Sequence, residues 1–66
     1  MKLTVNGNQS EHSDALSVEE LLNELDIEPG RVAVEVNLNI VKKANYQEHF
    51  LKDGDSVEIV NFVGGG

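Results

Sequence analysis

The sequence predicts an α+β domain of two layers, a sheet with one main helix packed on one face. Three observations carry that prediction. Apolar residues alternate with polar ones in the first, middle and last segments, which is the period of half-buried strands. A single stretch beginning at Ser17 repeats its apolar residues at helical spacing. The chain has 66 residues, enough for one small domain whose core is thin. One helix covers only one face of a sheet, so the layers number two.

Taken in order, Lys2-Leu3-Thr4-Val5 alternates as a strand, and Asn6-Gly7 is a hairpin signal because both residues tolerate positive φ. The returning segment, Gln9 to His12, is polar and reads as an edge strand on the strength of the turn. Ser17-Val18-Glu19-Glu20 fits a capping box, with Ser17 as N-cap and Glu20 at N3. Leu16 and Leu21 are placed for a hydrophobic staple around that cap. Val18, Leu21, Leu22 and Leu25 form the apolar face, while Glu19, Glu20 and Glu24 fall mainly toward solvent. Asp26 to Gly30, with Pro29-Gly30, ends the helix.

Val32, Val34 and Val36 alternate with Ala33 and Glu35 as a third strand. Asn37-Leu38-Asn39 reads as a tight connection into a short strand at Ile40-Val41. The segment Ala44 to Lys52 is irregular, with Tyr46, Phe50 and Leu51 expected to anchor it to the core. Asp53-Gly54-Asp55 is a turn, and Ser56 to Phe62 is the last strand. There Val57 and Ile59 point under the helix, while Val60 and Phe62 fall with Glu58 on the opposite face. Two large apolar groups on an uncovered face suggest a contact patch. A bulge that returns them to the core, or ordinary exposure, stays open beside it.

Composition narrows the function. Five Lys and Arg against 12 Asp and Glu give a formal net charge of −7. Such a chain is repelled by phosphate backbones and anionic membranes, which argues against nucleic acid and membrane partners and for basic protein surfaces. There is no cysteine, so disulfides and thiolate metal sites are excluded. No apolar run is long enough to span a bilayer and no signal peptide is evident, so a cytoplasmic location is expected. No nucleophile–base pair, phosphate loop or ligand cluster stands out, and a core this small leaves little room for an enzyme pocket. Asp53 and Asp55 fall short of a calcium loop's ligand count and read as turn residues. His12 and His49, far apart in sequence, read as surface or half-buried residues.

The chain ends Gly64-Gly65-Gly66, half of its six glycines. A frayed terminus is one reading. The other is chemical: glycines let a terminal carboxylate thread a narrow channel into another protein's active site. That carboxylate must be activated there, for instance as an acyl-adenylate made from ATP, before a nucleophile such as sulfur can attack its carbonyl.

These residues carry a resemblance. The order of elements, the Ser17-Val18-Glu19-Glu20-Leu21-Leu22 helix start, the Asp53-Gly54-Asp55 turn and the Gly65-Gly66 ending together resemble the β-grasp, ubiquitin-like sulfur carriers. Within them the chain is most similar to the ThiS family of thiamine biosynthesis, and the likeness covers its whole length. The resemblance implies a β-grasp fold over residues 1–63, a mixed sheet of four to five strands with the first and last side by side, and a flexible glycine tail at 64–66. It also implies a role as carried substrate rather than enzyme, with no cofactor bound by the chain itself. A ThiF-type adenylating enzyme consumes ATP to activate Gly66. A cysteine desulfurase or other persulfide donor supplies sulfur for a thiocarboxylate, which passes its sulfur to the thiazole synthase ThiG. Gly66 is then the modified residue, and Gly64 and Gly65 lie in the partner's active site. By position, Val60, Phe62 and Val63 are the candidates for partner contact. Gly64 replaces the alanine or other small residue common in relatives. The prolines and aromatic-rich last strand associated with the molybdopterin synthase small subunit are missing, which favours thiamine synthesis. Molybdopterin synthesis, tRNA thiolation, a ubiquitin-like protein modifier and a noncovalent interaction module remain the alternatives.

Overall fold

The computed structural model describes residues 1–62. Val63 and Gly64 to Gly66, with the domain boundary expected between them, lie outside the described residues. Five strands and one α-helix follow in the order β1 (Lys2–Val5), β2 (Asn8–Glu11), α1 (Val18–Glu24), β3 (Val32–Val36), β4 (Asn39–Val41) and β5 (Ser56–Asn61). Two short 3-10 turns, Pro29–Arg31 and Lys43–Asn45, complete the chain's regular structure among the described residues. The sheet order is β2-β1-β5-β3-β4. β1 and β5 run parallel at its centre, with Val5 beside Val57, and the other neighbours are antiparallel.

The alternation decides which side chains go inward. Leu3, Val32, Val34, Val36, Val41, Val57 and Ile59 are buried, and Val18, Leu21 and Leu22 of α1 close the core over them. Leu16 and Leu21 are both buried, as the staple around the cap requires.

The helix start is satisfied from two sources. Ser17 Oγ accepts from Glu20 N at 3.1 Å, and Glu20 Oε1 accepts from Ser17 N at 2.9 Å, the reciprocal capping box. Val18 N donates to His49 O at 2.9 Å and Glu19 N to Tyr46 O at 3.1 Å. These are orphan amides of the first turn, met by carbonyls from a remote segment.

The helix ends earlier than its apolar repeat. Asp26 sits at φ 59, its N–H bonds Asn23 O at 3.1 Å, and Ile27 N bonds Leu22 O at 2.8 Å. This is a Schellman turn with aspartate in the left-handed position where glycine is usual. It corrects the assignment of Leu25 to the buried face: Leu25 is the C-cap and 41% exposed, and Ile27 packs against the core instead.

Phe50 also differs from expectation. Its side chain is 54% exposed. Tyr46 and Leu51 do anchor their segment, and backbone bonds do the rest: Leu51 N donates to Leu16 O at 2.8 Å, and Ser17 pairs with Phe50 as an isolated bridge. Extended backbone sends successive side chains to opposite sides, so burying Leu51 turns Phe50 outward. Smaller shifts occur at element ends. β2 runs from Asn8 to Glu11, Asn39 belongs to β4, and Phe62 follows rather than ends β5.

Candidate functional site

The site is built on β5, the middle strand of the sheet and the one that leads to the glycine tail. Its start is fixed by a polar knot. Lys2 N donates to Asp53 Oδ1 at 2.6 Å, Lys52 N to Asp55 Oδ2 at 2.8 Å, and Asn37 Nδ2 to Asp55 Oδ1 at 2.9 Å. Asn37 Oδ1 in turn accepts from Ser56 N at 3.0 Å. The two aspartates therefore hold backbone amides and a side-chain amide, as turn residues do. Gly54 between them takes φ 90, a conformation glycine reaches without strain.

Along the strand, Thr4 N donates to Asp55 O at 3.0 Å and Asn6 N to Val57 O at 2.9 Å. The Asn6 side chain then reaches Ile59: its Oδ1 accepts from Ile59 N at 2.7 Å and its Nδ2 donates to Ile59 O at 3.2 Å. On the other side Phe62 N donates at 2.9 Å to the carbonyl of Arg31, the residue just before β3, so backbone bonding continues to the last described residue.

Among the described residues no element covers the face of the sheet away from α1, the bare face. Val60 is 57% exposed and Phe62 58%; neither returns to the core. Ile40, 76% exposed, belongs to the same face, because its strand neighbour Val41 points inward. Glu35 stands directly across from Glu58, and Ala33 across from Val60. Among the described residues no cation lies within ion-pair distance of either glutamate. The structure thus leaves Val60 near the end of β5 and Phe62 just beyond it both exposed; Val63, Gly64, Gly65 and Gly66 lie outside the described residues.

Sequence reading missed Asn6, Glu35 and Ile40. By its sequence context Asn6 reads as a turn residue only, because its partner is 53 positions away. Ile40 had a signal: in a two-residue strand with Val41 inward, Ile40 has to face out. The connection before it is a two-residue turn with Asn37 at φ 52 and Leu38 at φ 72. Leu38 is 87% exposed, a strained position for a branched apolar residue.

Other groups serve the fold. His12 joins the edge strand to the helix, with Nδ1 3.0 Å from Glu24 Oε1 and Nε2 2.6 Å from Ser10 Oγ. Burial raises the Tyr46 phenol above its usual value, and its hydroxyl donates to Val32 O at 3.4 Å. Among the described residues no cluster of three or more His, Cys, Asp or Glu is arranged to hold a metal, and no helix is long and apolar enough to cross a membrane.

A mixed sheet of five strands grasping one helix, with the first and last strands parallel at its centre, defines a β-grasp domain. The chain belongs to the ThiS family, whose model matches residues 2–66. It is 43% identical over 53 residues to the sulfur carrier protein ThiS of Bacillus subtilis, covering 80% of each chain. A crystal structure of the thiamine biosynthesis protein ThiS from Geobacter metallireducens is 39% identical and superimposes with a TM-score of 0.87 over 100% of both chains. A thiazole synthase of Paramagnetospirillum magneticum is 48% identical over all 66 residues, which span only 20% of that longer protein. The family is one of small sulfur carrier proteins rather than catalysts.

Proposed function

We propose that this chain is the sulfur carrier of thiamine biosynthesis and that it carries sulfur on the Gly66 carboxylate. The observation that carries the reading is the ThiS family match, which runs through the diglycine to residue 66. In the proposed cycle an adenylating enzyme of the ThiF type joins the carboxylate to AMP from ATP, releasing pyrophosphate. The terminal sulfur of a persulfide attacks the carbonyl and AMP leaves. A thiol then cleaves the resulting acyl disulfide, which leaves a thiocarboxylate on Gly66. The carrier's own part is mechanical. It holds β5 rigidly and offers the enzyme a carboxylate flanked by side-chain-free residues, which suit a narrow channel.

Thiazole synthase is the proposed acceptor. Support comes from the Paramagnetospirillum thiazole synthase, which has a stretch like this chain within its own polypeptide. Val60 and Phe62 are the proposed contact residues, since they are exposed, apolar and next to the tail. The net charge of −7 favours basic enzyme surfaces, an attraction that weakens with salt. A cytoplasmic location beside the ATP-consuming partner is part of the same proposal.

The test is intact mass after incubation with ATP, the adenylating enzyme and a sulfur donor. The expected product is heavier by the difference between sulfur and oxygen, and removal of Gly65 and Gly66 abolishes it while leaving the fold unchanged. An unaltered mass with the matching enzymes would falsify the carrier reading.

A further inference from the structure

We infer that Asn6 is a positioning residue for the tail: its side-chain amide takes the place of a missing stretch of β1 and fixes the direction in which β5 leaves the body. The inference rests on the carrier reading above.

β1 is too short to hold β5 along its length. Its register with β5 covers only Thr4 beside Ser56 and Val5 beside Val57, and at Asn6-Gly7 the chain turns away into β2 with φ 48 and 84. The next groups on that edge of β5 are the N–H and C=O of Ile59, where no β1 backbone remains. A primary amide has the same donor and acceptor as a peptide group. Asn6 offers both, accepting from Ile59 N at 2.7 Å and donating to Ile59 O at 3.2 Å. The edge is thereby held two residues further toward the tail. On the opposite edge, pairing with β3 continues to Asn61.

The residue type is specific to this task. Asparagine is among the few non-glycine residues that accept the left-handed turn conformation, and its side chain supplies a donor as well as an acceptor. Aspartate accepts the turn but has no donor when ionised, and its carboxylate would face the Ile59 carbonyl. Glycine accepts the turn but supplies neither group. Without the amide, β5 beyond Val57 is held on the β3 edge alone, directly before the exposed Val60 and Phe62 and the tail. A carrier whose exit segment samples more directions presents the binding-competent one less often, and its apparent affinity falls in proportion.

The experiment compares the full chain with Asn6→Gly, Asn6→Asp and, as a control away from β5, Ser17→Ala, at a temperature where circular dichroism shows all four folded. Hydrogen exchange in Asn6→Gly should accelerate at the Ile59 amide, with Thr4 and Leu51 changing much less. Adenylation by the partner enzyme should show KM for the carrier raised roughly three- to tenfold with kcat within about twofold. Asn6→Asp should behave alike, and Ser17→Ala should leave KM unchanged. Wild-type exchange at Ile59, an unchanged KM in Asn6→Gly, or an equal rise in Ser17→Ala overturns the assignment. A wild-type chain that the enzyme never adenylates overturns the carrier reading itself, and this inference with it.

Discussion

The two faces of β5 do different work with alternate residues of the same strand. Val57 and Ile59 lie under α1 in the core, whereas Glu58 and Val60 stand on the bare face. The covered face holds the domain together. The bare face carries features that do not help folding: exposed Ile40, Val60 and Phe62, and Glu35 opposite Glu58. Like charges directly across a sheet are destabilising, so the contrast teaches that one face of the strand supplies the stability while the other exposes apolar and like-charged groups that add none.

Substitutions on the two faces should therefore fail in different ways. The largest effect belongs to the covered side. Leu22→Ala removes a fully buried side chain and should cost about 2–5 kcal/mol by chemical denaturation, enough to threaten a domain this small. Phe62→Asp should leave stability within about 0.5 kcal/mol and weaken binding to the adenylating enzyme or thiazole synthase by about tenfold or more, read by calorimetry. If Phe62→Asp binds normally, the bare face is no contact surface at that end. Glu58→Gln separates the two roles most cleanly. Relief of the repulsion from Glu35 should raise stability by a few tenths of a kcal/mol, seen as a small rise in Tm; a drop would show that the pair is not strained. Tyr46 gives a pH-dependent version on the covered side. Burial raises its phenol, so the folded state prefers the protonated form. Its contribution is full below a pH of about 10 and is lost as pH rises through the raised value. Denaturation midpoints should fall in that alkaline range for the wild type and less steeply for Tyr46→Phe.

Much of this was legible in the chain because the causes are local. Ser17 and Glu20 cap the helix start across three residues, and Asn6-Gly7 makes the first hairpin from its own φ preferences. The outward direction of Val60 and Phe62 followed from strand alternation, though exposure alone could distinguish a bare face from a bulge. Leu25 and Phe50 face outward for one reason. Each is apolar at a plausible spacing, but the chain on either side already commits the inward place, to Ile27 through the Schellman turn and to Leu51 through its bond to Leu16.

By itself the sequence determined the element types, the helix cap and the hairpin turn, since each rests on residues within a few positions of one another. Only the tertiary structure decided how those pieces serve each other. The first helical amides are met by the carbonyls of Tyr46 and His49, Glu35 is set against Glu58, and the Asn6 amide completes the sheet at Ile59. Those pairings join residues from 23 to 53 positions apart, and no local preference encodes them. They follow from burying one apolar face under one helix, which fixes the register of every strand at once.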